Sequence, residues 1–279
     1  MVSRRYSARR HVNHIFTALK LRNKGFYTPY DYLKGVPSEA AAYPSMVELF
    51  DSKVPTFSKF LSCIDKQEDK FLQSRSGSPG LTWESRWISK LDGAAIYTAV
   101  GLNAPKRIIE IGSGNSTHFL CRAVADQGLK TNIVCIDPHP RIDVTHLDVD
   151  FLRRPLLMDD VELLVTLQPN DILFIDSSHI LQPNFDVDIL FNRVFPVLRS
   201  GVVVHVHDVF LPYSYPDSWF EYRFNEQNAL IPWLISGLFD VDFASHYVWR
   251  CMKSELNQIC PRFPLDTPDN GGSLWIRRQ

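Results

Sequence analysis

From residue 106 onward, short apolar segments alternate with segments that have a helical pattern, and this alternation constrains the fold more than any other feature. Strands are predicted at 107–111, 132–136, 171–175 and 202–206, with a short strand at 151–153. Helices are predicted at 116–127, 158–167, 186–198 and 221–238, and a closing antiparallel pair at 241–248 and 273–277. Nearly continuous apolar strands separated by helices are typical of a parallel sheet covered on both faces. The sequence therefore predicts a doubly wound α/β domain.

A glycine turn follows the first predicted strand. The stretch Glu110-Ile-Gly112-Ser-Gly114-Asn-Ser-Thr leads directly into a predicted helix. Sheets of this kind bind ligands beyond the carboxyl ends of their strands, and the start of a helix favours a carboxylate or phosphate. The turn lacks both the third glycine of the dinucleotide motif and the lysine of a P-loop. Tight packing between strand and helix would explain the glycines equally well.

An acidic residue, Asp137, follows the second predicted strand in the stretch IVCIDPHP. Acidic residues about 20 positions beyond such a glycine turn accept hydrogen bonds from a ribose diol. The alternative is a turn-capping role ahead of Pro138. The spacing favours the ribose interpretation.

Titratable residues also follow the fourth and fifth predicted strands. Asp176 and His179 come after the fourth strand, and His207 and Asp208 come after the fifth. Each could be a loop cap or a satisfied polar group, but several titratable groups at one sheet edge favour a functional site.

These motifs resemble a known family. Glu-x-Gly-x-Gly followed by an acidic residue after the second strand resembles the class I S-adenosylmethionine-dependent methyltransferases, which have a Rossmann-like seven-stranded sheet. The segments DILFIDSSH, HVHDVFLPYSYP, RFNEQNALI and GGSLWIRR resemble a bacterial branch of small-molecule and sugar O-methyltransferases. The resemblance covers the chain from about Trp83 to its end and does not indicate which acceptor is methylated.

The resemblance implies a cofactor site for S-adenosylmethionine. The glycine turn would receive the methionine part, Glu110 and Asp176 would meet its ammonium group, and Asp137 would hold the ribose. The segment 153–155 would flank the adenine. The implied cofactor residues are Glu110, Gly112, Ser113, Gly114, Asn115, Ser116, Asp137 and Asp176.

Methyl transfer to oxygen also requires a base, and His179, His207 and Asp208 are the predicted catalytic residues. Imidazole suits this role because it titrates near neutral pH. Related O-methyltransferases bind a magnesium-like ion at positions that correspond to Asp176, His207 and Asp208. Histidine departs from that pattern and suits iron, zinc, manganese or nickel better than magnesium. A divalent metal ion is therefore left open, with the metal-free enzyme slightly favoured.

The chain is predicted to have two parts, an N-terminal mostly helical extension at 1–82 and the methyltransferase domain at 83–279. The extension would act as a lid over the acceptor or as a contact in a homo-oligomer. Its first 30 residues carry seven Arg and Lys residues and no Asp or Glu. This basic segment would dock on the main domain or bind an anionic partner.

Composition narrows the partners and the location. A net charge of −1 argues against nucleic acid, and no apolar run reaches the length of a transmembrane segment. Five scattered cysteines, without paired-ligand spacing or a signal peptide, predict a reduced, cytoplasmic protein.

Two further functions compete with O-methylation of a small molecule or saccharide. One is a metal-dependent enzyme on the same fold, with Asp176, His179, His207 and Asp208 as ligands. The other is a non-catalytic cofactor-binding or scaffold protein.

Overall fold

The structure is a computed structural model that describes residues 12–19, 21, 41–67, 87–262 and 271–279. The chain forms two compact units, 1–39 and 40–279. The described part of the first unit is a short helix at 12–18. Most of the basic N-terminal segment, including Arg4, Arg5, Arg9 and Arg10, lies outside the described residues.

A single seven-stranded sheet organises the second unit and confirms the predicted Rossmann-like fold. Its strands are β1 (Arg107–Ile111), β2 (Asn132–Ile136), β3 (Asp150–Leu152), β4 (Ile172–Ile175), β5 (Val203–Val206), β6 (Phe239–Ala244) and β7 (Leu274–Arg278). The spatial order is β3-β2-β1-β4-β5-β7-β6. The first five strands are parallel, and β7 is antiparallel to both β5 and β6.

The helices of this unit are α1 (Pro44–Ser52), α2 (Val54–Asp65), α3 (Lys90–Asn103), α4 (Asn115–Asp126), α5 (Val161–Leu164), α6 (Asp186–Ile189), α7 (Glu226–Ile235), α8 (Ser245–Cys251) and α9 (Lys253–Ile259). Strand order reverses at β1, which has β2 on one side and β4 on the other. The carboxyl ends of these three strands are therefore the expected ligand position.

Among the described residues, no helix is long and apolar enough to cross a membrane.

The predicted strand at 241–248 is wrong in its second half. The strand ends at Ala244, and α8 begins at Ser245. The buried Ser245 hydroxyl donates to Asp92 on α3, which fixes the chain at this point, and α8 then places Tyr247 and Val248 in the core. The apolar residues after Ala244 therefore belong to a helix and not to the strand.

Three predicted helices are shorter or less regular than expected. The segment predicted at 158–167 begins as a 3₁₀ turn at Met158–Asp160 and continues as the short helix α5. The segment predicted at 186–198 begins as α6, continues as a π turn at Leu190–Val194 and ends as a 3₁₀ turn at Phe195–Val197. The helix predicted at 221–238 begins only at Glu226. Arg223 has a left-handed φ of 56°, which interrupts a helix before that point.

Helices α1 and α2 belong to the same core as the sheet. Phe50 and Phe57 have no exposed surface, and the ring of Phe57 lies 6.1 Å from that of Phe243 on β6. The division between compact units falls at residues 39 and 40. The domain boundary at 82 and 83 stays a prediction. The lid and oligomer roles of this region stay predictions.

Candidate functional site

A cleft of about 530 Å³ opens at the carboxyl ends of β1, β2 and β4. The loops after β1, β2, β3 and β4, the start of α4 and the segment before α3 line it. The lining residues are Trp87, Ile88, Ile111, Gly112, Ser113, Gly114, Asn115, Ser116, Ile136, Asp137, Pro138, His139, Arg141, Ile142, Pro155, Leu156, Leu157, Asp176, Ser177, Ser178, Asn184, Phe185 and Asp186. The structure thus brings together seven of the eight predicted cofactor residues, all except Glu110.

The two glycines of the turn have different roles. Gly112 has a φ of 82°, and a Cβ atom there would lie 1.9 Å from the backbone oxygen of Asp176. Glycine is needed at this position because the turn after β1 packs directly against the turn after β4. A Cβ atom on Gly114 would have no atom within 4 Å, although this residue also lines the cleft. The space beside Gly114 is therefore available to a ligand.

Glu110 is fully buried beneath the glycine turn and does not line the cleft. Its carboxyl group accepts hydrogen bonds from the Ser116 and Thr117 hydroxyls, both at 2.6 Å, and from the Cys135 thiol at 3.2 Å. Burial outweighs these donors and raises the pKa of Glu110 to about 7. Glu110 therefore joins β1 to the start of α4. Both of its oxygens, which were predicted to contact the cofactor ammonium, already accept hydrogen bonds from the protein.

Asp137 lies at the end of β2, lines the cleft and is also held by internal donors. Its Oδ2 accepts from the Ser113 backbone N–H at 2.7 Å and from the Ser113 hydroxyl at 3.1 Å. Its Oδ1 accepts from the His139 backbone N–H at 2.6 Å. A ribose hydroxyl would have to share these oxygens, each of which can accept more than one hydrogen bond.

Beyond β4 and β5, four acids, two of them buried and two half-buried, surround two histidines. We call this group the acid–histidine cluster; it consists of Asp92, Asp176, His179, His207, Asp208 and Glu226. Asp92 comes from α3 and Glu226 from α7, whereas the other four follow strands. Asp176 belongs to the cluster and also lines the cleft, so it joins the two parts of the site.

His179 is fixed on one side and faces two carboxylates on the other. Its Nδ1 lies 2.8 Å from Oε2 of the buried Glu226. Its Nε2 lies 3.5 Å from Asp176 Oδ1 and 3.4 Å from Asp208 Oδ2. His179 and Asp208 both adopt left-handed φ angles, near 60°. Such backbone conformations are uncommon outside glycine and concentrate at functional sites.

His207 lies between three carboxylates without a close hydrogen bond to any of them. Its Nδ1 is 3.3 Å from Asp208 Oδ1 and 3.8 Å from Asp176 Oδ1, and its Nε2 is 3.7 Å from Asp92 Oδ2. Within the described part of the chain, neither ring nitrogen has a hydrogen-bond partner. A buried imidazole with both nitrogens unsatisfied costs free energy unless a ligand completes it.

The charges of the cluster stabilise one another. Burial opposes the charged form of His207, but Asp208, Asp176 and Asp92 outweigh this effect and hold its pKa well above the ordinary value. Burial likewise opposes protonation of His179, and the hydrogen bonds and charges of Asp176, Glu226 and Asp208 raise its pKa well above that value. Burial raises the pKa of Asp176, and the two histidines more than reverse this, so that it is lowered.

Three residues of the cluster could hold a metal ion. Ligand atoms of Asp176, His179 and Asp208 all lie within 4.8 Å of one another. This set contains His179, where the sequence analysis had named His207. The Glu226 contact to His179 Nδ1 directs Nε2 toward the two carboxylates, as a carboxylate bonded to the other ring nitrogen does for metal-bound histidines.

Sequence reasoning missed Asp92 and Glu226. Asp92 is two per cent exposed and accepts hydrogen bonds from the Ser245 hydroxyl and from the Gly272 and Ser273 backbone. A lone acid in the apolar stretch KLDGAAIYTAVGL was the signal that could have found it. Glu226 lay in the quoted segment RFNEQNALI, but nothing in that segment indicates contact with His179.

Aromatic side chains also pack against the cluster. The ring of Phe224 lies 4.9 Å from His179, and Trp219 packs edge-on against Phe224 and Phe210. The Tyr215 hydroxyl accepts from the Gln227 backbone N–H and keeps its own proton to donate. The Asn225 Oδ1 accepts from the Leu181 backbone N–H.

Residues 109–209 match a protein-family model described as a methyltransferase domain, and a search of curated proteins finds no significant match. The matched segment runs from within β1 to just beyond β5, and so includes all the cleft-lining residues except Trp87 and Ile88. Together with the seven-stranded sheet, this match supports the resemblance to the class I S-adenosylmethionine-dependent methyltransferases.

Several solved structures are also similar to the chain. An O-methyltransferase from Bacillus cereus in complex with S-adenosylhomocysteine is 14% identical, with a TM-score of 0.35, and the match covers 84% of this chain and 96% of that one. The O-methyltransferase TomG from Streptomyces achromogenes, in complex with S-adenosylmethionine, is 18% identical, with a TM-score of 0.34 and coverage of 79% and 89%. At these identities and scores, neither similarity indicates what this chain methylates.

Proposed function

We propose that this enzyme transfers the methyl group of S-adenosylmethionine to an oxygen atom of a small molecule or saccharide. The observation that carries the proposal is the position of Asp176, which lines the cleft and also contacts both histidines of the acid–histidine cluster. A cofactor in the cleft and an acceptor at the cluster would therefore meet at this residue. Such an arrangement brings the two reactants into one geometry, which supplies much of the rate in reactions of this kind.

The cleft suits the cofactor in shape and in chemistry. The open space at Gly114 and the first backbone N–H groups of α4 would receive the methionine part. Asp137 would accept from the ribose hydroxyls, and the apolar residues Pro155, Leu156 and Leu157 would flank the adenine. When bound, S-adenosylmethionine supplies an activated methyl group, whose bond to sulfur breaks as the acceptor oxygen bonds to carbon.

The chain itself must remove one proton from the acceptor hydroxyl, and we assign this step to His207. His179 is a poorer base because its Nδ1 is held 2.8 Å from Glu226 Oε2. Both nitrogens of His207 lack hydrogen-bond partners among the described residues. The adjacent Asp208 carboxylate, about a quarter exposed, would orient the acceptor hydroxyl toward the imidazole.

A divalent metal ion at Asp176, His179 and Asp208 is a second candidate feature of the site. The convergence of their ligand atoms within 4.8 Å favours it, and the imidazole ligand favours a transition metal over magnesium. Metal content of the purified protein tests this idea. Wild-type protein should retain about one equivalent per chain of a transition metal that His179→Ala loses, and metal-free protein of full activity would contradict it.

Methyl transfer from labelled S-adenosylmethionine to a panel of phenols, hydroxy acids and saccharides tests the main proposal. His207→Gln should lower turnover of any accepted compound about 10²- to 10⁴-fold, the usual contribution of a positioned base. The control is His146→Gln, because His146 is exposed and does not line the cleft. The two variants should bind S-adenosylhomocysteine as the wild type does.

Three outcomes separate the competing functions. Cofactor binding without transfer to any acceptor would favour the non-catalytic cofactor-binding protein. Failure to bind S-adenosylhomocysteine would overturn the proposal as a whole. Full turnover in His207→Gln would leave the methyltransferase in place and remove His207 as the base.

A further inference from the structure

One positively charged side chain stands out in the cleft. Among the described lining residues, Arg141 is the only arginine or lysine. Its guanidinium carbon lies 4.5 Å from the centre of the Trp87 ring, which also lines the cleft. Stacking on an aromatic face holds a guanidinium in place without using its N–H donors. Arg141 makes no hydrogen bond or ion pair with the residues that the structure describes, so those donors remain available.

The acidic residues that line the cleft differ in whether their oxygens already accept hydrogen bonds. Donors of Ser113 and His139 occupy Asp137, and donors of Ser178 and Val187 occupy both oxygens of Asp186. Asp176 uses only Oδ1 in its contacts with the histidines, and within the described chain Oδ2 has no partner. The cleft therefore offers one available cation, Arg141, and one available anion, Asp176.

These two groups are close enough to interact but do not pair. The positive charge of Arg141 contributes to the lowered pKa of Asp176, yet no nitrogen of Arg141 comes within ion-pair distance of that carboxylate. Opposite charges held apart across a cleft match a ligand that itself carries both charges.

We infer that Arg141, held against Trp87, binds the carboxylate of the cofactor's amino-acid end, while Asp176 receives its ammonium group. The inference rests on the proposed function and adds a residue that determines specificity. A guanidinium can bind a carboxylate through two parallel N–H···O bonds, which fix its orientation as well as its distance. The site would thereby select the complete amino acid over adenosine thioethers that lack the carboxylate.

The test compares two ligands that differ only in that group, S-adenosylhomocysteine and its decarboxylated analogue, by titration calorimetry. The wild type should bind S-adenosylhomocysteine about 10- to 100-fold more tightly, as expected for hydrogen bonds to a charged group. Arg141→Gln should lose this factor for S-adenosylhomocysteine and keep its affinity for the analogue. Trp87→Leu should lose part of the same discrimination, because the guanidinium is no longer held by the ring.

Arg193→Gln is the matched control, because Arg193 is exposed and lies outside the cleft. It should discriminate between the ligands as the wild type does, and thermal melting should show all three variants folded. The inference would be overturned if Arg141→Gln lost affinity equally for both ligands, or if it lost affinity for neither. A change confined to the KM of the acceptor would overturn it too, and would assign Arg141 to the acceptor. Failure of the wild type to bind either ligand would instead overturn the proposed function on which the inference rests.

Discussion

The two sides of one sheet edge use their polar residues differently. On the glycine side, at the ends of β1 and β2, the acids Glu110 and Asp137 accept hydrogen bonds from neighbouring loops. On the histidine side, at the ends of β4 and β5, both ring nitrogens of His207 lack such partners within the described chain. A satisfied polar residue shapes the site, whereas an unsatisfied one is available for chemistry. Position at the end of a strand does not by itself distinguish these roles.

The glycine side offers the largest expected effect. Gly112→Ala places Cβ 1.9 Å from the backbone oxygen of Asp176, at a φ of 82° that alanine rarely adopts. The turns after β1 and β4 would have to separate, at a cost of roughly 3 kcal/mol or more in unfolding free energy. Denaturant unfolding measures this loss, and Gly112→Val should be worse still.

Gly114→Val is the counterpart two residues later. Its side chain would enter open space in the cleft, so the unfolding free energy should change by less than about 1 kcal/mol while S-adenosylhomocysteine binding is lost. Calorimetry and unfolding on the same two proteins separate packing from ligand approach. Equal stability of the two variants would contradict the different roles assigned to the glycines.

This pair also marks how far the sequence could predict the site. Periodicity and the strand-end residues predicted the sheet and gathered Asp176, His179, His207 and Asp208 at one edge. They could not tell that Gly112 is needed for packing, because the atom that forbids a side chain belongs to residue 176.

The acidic partners of the two histidines could not be predicted from the sequence for the same reason. Asp92 and Glu226 come from helices distant in the chain, and only the assembled fold brings them to His207 and His179. The turn from β6 into α8 depended likewise on the contact between Ser245 and Asp92. Local patterns predict elements and their ends, whereas long-range contacts decide which polar groups are satisfied.

The histidine side can be tested through the pH dependence of turnover. His207 must lose its proton to act as a base, and the surrounding carboxylates hold its pKa well above 6.5. The rate at limiting acceptor should therefore rise with pH through an inflection above 6.5. Asp92→Asn removes a charge 3.7 Å from Nε2 and should move the inflection to lower pH. An unmoved inflection in Asp92→Asn would show that another group controls the rate.

The last test concerns Glu110, which accepts three hydrogen bonds and yet has a pKa near neutral pH. Its pKa is about 7 in the folded protein and 4.5 in the reference state, so the folded protein binds the proton more tightly. Its contribution to stability is complete below pH 4.5 and is lost as pH rises through about 7, which amounts to about 3 kcal/mol. The Glu110→Gln variant has no titratable group at this position. As the pH rises from 4.5 through about 7, its unfolding free energy relative to that of the wild type should therefore increase by about 3 kcal/mol. The exposed substitution Glu162→Gln controls for the loss of one negative charge. A constant difference in unfolding free energy between wild type and Glu110→Gln from pH 4.5 to 8 would show that the three donors hold Glu110 ionised. The contrast between the two sides of the sheet edge would then rest on the histidines alone.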